Sequence, residues 1–424
     1  MLSLAILMLF LALVAAGVPV FAAMGLSAFA GTVVLGYSDS PILDMALTVS
    51  QTFGNFVLVA VPLYILVGTL MEESGLSEKL FAFARSWLGM LKGGLGVATV
   101  AACAIFAAIS GSSVATAATI GLVSFPALTR RGYTPEFSGA LIAAGGTLGI
   151  LIPPSIPMIL YGVLTEQSIS ALFMAGAVPG VVLAVIMAVY SMLFSRVDRE
   201  AAAIPWAEKL RTSREAVWAL LLPVAILVSI YTGLATPTEV AAIAVVYVLA
   251  VGVATSALGW SGIRRATMRA GRTTVMIFLL VGFGRALTEF FTLTGLPQAA
   301  VGIVTQLGLS PLAVVSLMVL LYLILGMVLE ALSMMLVTVP ILYPIAMAVG
   351  LDPLAFGVFV VLAIEAAQIT PPVGINLYTI AAIGKVHLGR LSLQVIPYVL
   401  MLVLMMYVVA FLPALATWLP GSMY

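Results

Sequence analysis

Apolar residues fill this chain in long runs, and short polar segments that carry most of the charges separate these runs from end to end. Such runs can cross about 30 Å of hydrocarbon as helices. The first run opens without a basic residue, so we interpret it as membrane-spanning and not as a cleavable signal. The pattern predicts an all-α polytopic protein of the lipid bilayer. We expect separate spans at 2–16 and 18–36, with a single kinked first span as the alternative.

Composition agrees with this fold class and excludes several functions. The chain is 63% hydrophobic and 8% charged with a mean hydropathy of +1.26, whereas a soluble domain is typically about 25% charged. Its net charge of +1 provides no polybasic surface, so we expect no nucleic-acid partner. The single Cys103 excludes an internal disulfide and a multi-cysteine metal site. One histidine at a predicted interface, without paired Asp or Ser/Lys groups in the spans, argues against an enzyme.

Two proline-broken motifs lie deep in apolar sequence, GILIPPSIPMILY at 149–161 and AQITPPVGINLY at 367–378. Their Pro-Pro pairs begin at Pro153 and Pro371, and we call the separation of these two positions along the chain the repeat offset. Six further pairs have the same separation: Pro19/Pro237, Pro126/Pro344, Gly132/Gly350, Pro135/Pro353, Gly139/Gly357 and Pro179/Pro397. The constant offset predicts two repeats, at 1–214 and 215–424. Related halves with matching broken helices are typical of secondary transporters.

Charge placement predicts how these repeats lie in the membrane. The segments 195–215 and 260–272 are rich in Lys and Arg, and the positive-inside rule places both in the cytoplasm. The apolar stretch 53–71 then runs inward, whereas its counterpart at 273–291 runs outward. We therefore expect inverted repeats, each with about five spans, a hairpin and a broken helix, and both chain termini in the periplasm.

Each repeat contains one segment that we expect to enter the membrane without crossing it. Residues 93–128 lie between Lys92 and Arg130, so both ends are predicted to be cytoplasmic. Small and hydroxylated residues in the middle favour a re-entrant hairpin with its tip near Ser110–Ser113. The copy at 312–345 should have its tip near Glu330–Ser333. Irregular backbone at this depth needs protein or a wet cavity around it. The alternative is a pair of short complete spans.

A Pro-broken helix follows each hairpin, at 137–164 and 354–384. Proline lacks an N–H and blocks the preceding turn, so two in succession end a helix. The break frees carbonyl groups, and the half-helix beyond it begins with a positive N-terminus. Structural kinks are the alternative for either break alone. Duplication opposite a hairpin tip favours a functional role.

These breaks and tips predict two Na⁺ sites and one anion site. Carbonyl and hydroxyl oxygens can replace the hydration shell of Na⁺, while helix N-termini suit a carboxylate. The predicted Na⁺ ligands are Ser110, Gly111, Ser112, Pro153 and Pro154 in the first repeat, and Glu330, Ala331, Thr370, Pro371 and Gly374 in the second. The predicted substrate-binding residues are Ser112, Ser113, Ser155, Glu330, Ser333 and Asn376.

Other polar residues permit more than one interpretation. The segments 76–92 and 259–272 mix basic and apolar residues at what we take to be equivalent places, and we interpret both as amphipathic arms in the interface. Ordinary connecting helices are the alternative. Glu365 lies in apolar sequence, which marks it as a functional candidate or as a structural hydrogen-bonding group. Arg285 and Glu289 stand at i,i+4 and are expected to pair.

In combination, the motifs ISGSSVATAATIG, GGTLGILIPPSIPMILYG, LEALSMMLVTVPILYPI and QITPPVGINLY resemble the large membrane subunit of tripartite ATP-independent periplasmic (TRAP) transporters. The resemblance covers essentially the whole chain. It implies Na⁺-driven uptake of an organic acid, such as a C4-dicarboxylate or sialic acid, across the bacterial inner membrane. It also implies an elevator mechanism like that of the wider ion transporter superfamily.

The resemblance further implies two protein partners, a small four-helix membrane subunit and a soluble periplasmic substrate-binding protein. We expect the small subunit to be a separate chain, because Met1 opens directly on the first repeat. A self-sufficient ion-coupled carboxylate carrier, which needs no periplasmic partner, is the alternative function. The sequence does not identify the substrate itself.

Overall fold

A computed structural model describes residues 1–36, 39–195 and 204–423, and these residues form helices without strands. Arg196 and Arg199, which contribute to one predicted cytoplasmic charge cluster, lie outside the described residues. Helices of the first half are α1 (Leu2–Ala15), α2 (Val20–Leu35), α3 (Pro41–Phe53), a 3₁₀ turn (Phe56–Val59), α4 (Ala60–Glu73), α5 (Leu76–Leu88), α6 (Gly94–Ser110), α7 (Ser113–Arg130), α8 (Pro135–Leu151), α9 (Ile156–Thr165) and α10 (Ile169–Phe194).

The second half continues the all-helical fold. Its helices are α11 (Trp206–Tyr231), α12 (Pro237–Ala254), α13 (Trp260–Leu293), α14 (Leu296–Gln306), α15 (Pro311–Leu325), α16 (Ala331–Ala348), α17 (Pro353–Ile369), α18 (Ile375–Gly384), α19 (Leu388–Phe411), α20 (Ala414–Thr417) and a 3₁₀ turn (Pro420–Ser422). Among the described residues, seven helices are long and apolar enough to cross a membrane, or eight if the bent pair α8–α9 counts as one span. The prediction of a polytopic all-α membrane protein is confirmed.

The two halves use helices of matching length at a constant distance along the chain. Helices α7 and α16 both have 18 residues, and α8 and α17 both have 17. In each pair the starting residues are separated by the repeat offset. Helices α1 and α2 are separate, as expected, with a turn between them. The inverted orientation of the repeats stays a prediction.

Each predicted hairpin consists of two helices joined by a short connection. Gly111 and Ser112 join α6 to α7, and residues 326–330 join α15 to α16. At 1.5 Å per residue, the 17 residues of α6 extend about 26 Å, which is less than the hydrocarbon thickness. Helix α6 is thus short for a complete span, whereas α16 of the second hairpin is one of the seven helices long enough to cross, so re-entry of the hairpins stays a prediction.

The first segment of each broken helix, α8 or α17, lies in the core of the protein. Every residue from Phe137 to Leu151 and from Ala355 to Ile369 is buried. Helices α8 and α17 contact each other, and α8 also packs against both helices of the first hairpin. Glycine and alanine on α8 permit this close packing. Pro153 and Pro154 at the first break are buried as well, whereas Pro372 at the second break is exposed.

The predicted arms differ from the structure in two ways. Residues 260–293 form one continuous helix of 34 residues, so 259–272 is not a separate interfacial helix. The reason is that no proline or glycine interrupts the sequence from Thr273 to Val281, whereas Gly54 and Asn55 end α3 before the 3₁₀ turn. The counterpart of α5 at the repeat offset is α14, so the two predicted arms do not occupy equivalent places.

Candidate functional site

One cavity of about 630 Å³ brings together both hairpin tips and both helix breaks. Helices α4 and α13 complete its wall. Of the predicted residues, six line it: Ser110, Gly111, Ser112, Ser113, Glu330 and Ala331. The other eight are not among the residues that line it: Pro153, Pro154, Ser155, Ser333, Thr370, Pro371, Gly374 and Asn376.

Four helix N-termini converge on this cavity. The first residues of α7, α9, α16 and α18 all line it, namely Ser113, Ile156, Ala331 and Ile375. A helix N-terminus presents unpaired N–H groups and about half a positive charge. The wall therefore carries positive potential from the backbone.

The first hairpin tip presses directly against the first break. Gly111 adopts a left-handed conformation with φ of +59°, and a Cβ atom on it would lie 2.7 Å from the Pro154 carbonyl oxygen. On α8, a Cβ atom on Gly149 would lie 2.5 Å from the Ser112 carbonyl oxygen. Only glycine permits both approaches. The Ser110 hydroxyl lies 2.9 Å from that of Thr116. Carbonyl and hydroxyl oxygens are thus concentrated at this contact.

Serine hydroxyls cap the two half-helices of the first repeat. The Ser112 hydroxyl accepts a hydrogen bond from the Ala115 N–H, and the Ser155 hydroxyl accepts one from the Met158 N–H, each at 3.4 Å. Ser155 is fully buried, and helices α8 and α9 meet at a bend of 41° around it. These neutral caps leave the positive ends of α7 and α9 without a counter-charge.

The second hairpin tip is capped by a carboxylate instead. Glu330 accepts hydrogen bonds from the Leu332 N–H at 3.2 Å and from the Ser333 N–H at 2.8 Å. The Ser333 hydroxyl, which is fully buried, also donates to Glu330 at 2.7 Å. Glu330 faces the cavity as predicted, whereas Ser333 acts through this bond from behind the wall.

Residues at the second break contact backbone carbonyl groups of the same segment. The Thr370 hydroxyl donates to the Ala366 carbonyl at 2.6 Å. A Cβ atom on Gly374 would lie 2.5 Å from the Gln368 carbonyl oxygen, so the chain folds tightly back on itself here. Gln368 and Ile375 reach the cavity on either side of this fold.

A buried hydrogen-bond network joins the first hairpin to the second broken helix. Ser113 donates its hydroxyl to Glu365 Oε2 at 2.9 Å, and Asn376 Nδ2 donates to the same Ser113 oxygen at 2.6 Å. Glu365 and Asn376 are both fully buried. The network therefore couples residues that belong to different halves of the chain. Glu365 was identifiable from sequence as a carboxylate in apolar surroundings, but its partners were not.

Sequence reasoning missed the charged residues at the edge of the cavity. Arg269 and Glu72 both line it, and Arg269 binds Glu72 Oε2 at 3.0 Å and also pairs with Glu73. Arg265 donates to Glu73 at 2.8 Å. These pairs tie α4 to α13, which belong to different halves. The predicted topology placed the end of α4 and the start of α13 at the cytoplasmic side. Two adjacent glutamates, Glu72 and Glu73, could therefore have been predicted to pair with the arginines of α13.

The expected ion pair between Arg285 and Glu289 is wrong. Both side chains are exposed on α13, and no ion pair joins them among the described residues. Glu289 instead accepts a hydrogen bond from the Thr48 hydroxyl of α3 at 2.8 Å. The contact with α3 takes the carboxylate away from Arg285, which i,i+4 spacing alone does not reveal.

Comparison with known proteins identifies the family. The sequence profile described as "Tripartite ATP-independent periplasmic transporter, DctM component" matches residues 7–415. The C4-dicarboxylate TRAP transporter large permease protein DctM of Pseudomonas aeruginosa is 36% identical over 92% of this chain and 92% of its own length. The sialic acid TRAP transporter large permease protein SiaM of Vibrio cholerae is 34% identical over 86% of each chain.

Two further similarities concern a fused relative and the fold. The isethionate TRAP transporter permease protein DctMQ of Oleidesulfovibrio alaskensis is 35% identical over 96% of this chain and 64% of its own length. The crystal structure of the Alcanivorax borkumensis YdaH transporter matches with a TM-score of 0.66 and 15% identity, over 100% of this chain and 99% of that one. Because the family profile matches nearly the whole chain and these relatives align along most of it, this chain belongs to the DctM family of TRAP transporter large permease subunits.

Proposed function

We propose that this large permease subunit imports an organic carboxylate by coupling its transport to Na⁺. The observation that carries the proposal is the convergence of four helix N-termini and two oxygen-rich contacts on one cavity. The helix N-termini suit an anion, and the oxygen-rich contacts suit a hard cation. Family membership supports transport as such, because the relatives are transporter permeases and not enzymes.

The substrate carboxylate would be held mainly by backbone groups. Each helix N-terminus contributes about 0.3–1 kcal/mol to an anion, and up to about 2 kcal/mol where it is partly buried. Several such contacts give a binding energy that still permits release. Arg269 lies at the edge of the same cavity, but its guanidinium is already shared between Glu72 and Glu73. We therefore assign it to the wall between α4 and α13 and not to the carboxylate.

Two Na⁺ ions would complete this anion site, one in each repeat. In the first repeat, Ser110, Gly111, Ser112 and the Pro153-Pro154 pair supply hydroxyl and carbonyl oxygens where the tip meets the break. In the second, Glu330, Ala331, Thr370, Pro371 and Gly374 supply the corresponding set. A bound cation adds a full positive charge to the partial positive charges of the helix N-termini. Without it the carboxylate binds weakly, and this dependence couples the two fluxes.

The packing supports an elevator in which the hairpins and broken helices move together. The first hairpin is fixed to α8 by the glycine contacts and to the second broken helix by the Ser113 network. Helices α4 and α13 are tied to each other by the Arg–Glu pairs at the cavity edge. We assign the first group to the mobile body and the second to the scaffold.

The relatives support a carboxylate substrate and a three-part system. The names of two relatives specify C4-dicarboxylates and sialic acid, which are carboxylates, and the name of a third specifies isethionate, a sulfonate. We propose a carboxylate substrate, delivered by a periplasmic binding protein across the bacterial inner membrane. The small membrane subunit would be the second partner, as the name and length of the DctMQ relative suggest.

Uptake by reconstituted vesicles tests the proposal. The complete complex, with the small subunit and the binding protein, should import succinate or sialic acid when Na⁺ is outside. Initial rates should rise with Na⁺ with a Hill coefficient above one. Rates that are unchanged when choline replaces Na⁺ would reject the coupling. Uptake by this chain alone, without either partner, would instead support a self-sufficient carrier.

A further inference from the structure

Glu365 is a carboxylate whose charge has no visible compensation. It lies on α17, within the central broken helix, and is fully buried. Oε2 accepts a hydrogen bond from Ser113, whereas Oε1 has no partner. No cationic side chain of the described residues pairs with it. Removing a carboxylate from water without a counter-charge is costly, so such a group marks a functional site by default.

A second unpartnered oxygen lies beside it. Asn376, just beyond the Pro-Pro break, is also fully buried, and its Oδ1 atom has no hydrogen-bond partner. Asn376 Nδ2 and Glu365 Oε2 lie 2.6 Å and 2.9 Å from the same Ser113 oxygen, so the two side chains meet at one hydroxyl. Each of the two side chains that share this hydroxyl thus carries an acceptor without a donor, and a buried cation would satisfy such oxygens.

The chemistry of these oxygens selects the kind of ligand. A carboxylate, an amide carbonyl and a hydroxyl are hard oxygen ligands, which suit alkali and alkaline-earth cations. The three groups together carry one negative charge. A monovalent cation neutralises that charge, whereas a divalent cation would leave an uncompensated positive charge in a fully buried place.

We propose that Ser113, Glu365 and Asn376 form a third monovalent cation site, for Na⁺, between the two repeats. This site is separate from the two predicted Na⁺ sites, and the proposal rests on the Na⁺ coupling proposed above. Its ligands come from α7, α17 and α18. Because α17 and α18 lie on opposite sides of the second break, an ion here fixes that break against the first hairpin tip.

Occupation of this site would act directly on the substrate cavity. Ser113 begins α7 and Ile375, next to Asn376, begins α18, and both residues line the cavity. A cation that holds Ser113 and Asn376 together therefore sets the distance between two of the four N-termini. Binding of the third ion would therefore change the spacing of the helix N-termini that bind the anion.

The Glu365→Gln variant tests the site because Gln keeps the acceptor for Ser113 and removes the charge. Reversal-potential measurements on vesicles with the complete complex should show one Na⁺ fewer per substrate. The Hill coefficient for Na⁺ should fall by about one. A wild-type complex that ignores Na⁺ would overturn the proposed function itself. A Na⁺-coupled wild type with the same stoichiometry in Glu365→Gln would overturn only the third site.

Thermal unfolding of the purified complex in nanodiscs provides a second measurement. In choline, Glu365→Gln should unfold at the same temperature as wild type or higher, because Gln buries no carboxylate. In saturating Na⁺, wild type should gain stability relative to the variant, because only wild type binds the third ion. Ser138→Ala is the matched control, since Ser138 is also fully buried with an unpartnered oxygen, and its effect should be equal in both salts. A loss of stability in Glu365→Gln that is equal in both salts would show a purely structural role.

A second variant keeps the proposal testable if Glu365→Gln does not insert. Asn376→Asp adds a second carboxylate and converts the ligand set to one that suits Ca²⁺. This variant should gain a Ca²⁺-dependent increase in unfolding temperature that wild type lacks. The same response to Ca²⁺ in Asn376→Asp and in wild type would contradict the site.

Discussion

Gly149→Ala tests whether the contact between the first hairpin tip and the first broken helix carries Na⁺ coupling. The added methyl group would lie 2.5 Å from the Ser112 carbonyl oxygen and 2.9 Å from the Ser113 Cα atom. Both atoms belong to backbone, so no side chain can swing away. To restore an ordinary contact distance, the tip must retreat from α8 by roughly 1 Å.

The net energy of this change follows from two opposing effects. Overpacking of a rigid contact costs about 1–3 kcal/mol. Alanine in place of glycine within a helix stabilises that helix by about 0.5–1 kcal/mol. The middle of each range leaves a net cost of about 1.3 kcal/mol, which corresponds to a factor of roughly 10 in an equilibrium constant. The cost applies only in the state in which the tip contacts the break, and this is the state that is proposed to bind Na⁺. The apparent Na⁺ affinity of uptake should therefore fall by that factor.

Initial uptake by the reconstituted complex, measured over a range of Na⁺ concentrations, checks this expectation. Gly271→Ala on α13 is the control, because a Cβ atom there meets nothing within 4 Å. The control should match wild type in its Na⁺ dependence, with equal amounts of each variant in the membrane. A Na⁺ titration of Gly149→Ala that superimposes on wild type would refute the assigned role of this contact.

Three further expectations concern charge and topology. Glu330→Gln should raise the Na⁺ concentration for half-maximal uptake, whereas Ser112→Ala, at a residue assigned to both an ion and the substrate, should raise that concentration and the KM for substrate; an unchanged Na⁺ dependence in Glu330→Gln would contradict its cation role. Arg285→Gln combined with Glu289→Gln should largely spare uptake, since both side chains lie outside the cavity; loss of transport in an inserted double variant would make Arg285 an anion ligand. A cysteine at the exposed Ser422 should react with an impermeant maleimide from the periplasm, and reaction only after permeabilisation would reverse the topology.

The helix breaks were predictable because proline acts locally. The expected broken helices at 137–164 and 354–384 correspond to α8–α9 and α17–α18 within a few residues. A Pro-Pro pair ends a helix whatever surrounds it. The hairpin tips were predictable for a related reason, since glycine and serine at Gly111 and Ser112 disfavour a continuous helix.

The contacts across the two halves were not predictable from sequence. Ser113 meets Glu365 only because α7 packs beside the second broken helix, and Arg269 meets Glu72 only because α13 crosses α4. Such partners depend on tertiary packing and leave no local pattern. The segment 259–272 was wrongly predicted to be an arm for a similar reason. Its charges suggested an interface, but its position in the repeat corresponds to α3, which local amphipathicity does not indicate.

The two hairpin tips differ in charge, so the electrostatic potential differs between the two sides of the cavity. Ser112 begins α7 with a neutral hydroxyl, whereas Glu330 begins α16 with a carboxylate. Three donors already bind Glu330 at the start of α16, two N–H groups and the Ser333 hydroxyl, so this N-terminus has little positive potential left for a substrate. The N-termini of α7 and α9 keep theirs. We therefore expect the substrate carboxylate to lie toward the first repeat, with the carboxylate of Glu330 holding Na⁺ opposite it. The repeat offset makes the halves look equivalent, but this one exchange of serine for glutamate leaves more positive potential for the substrate in the first repeat, although each repeat also has a proposed Na⁺ site.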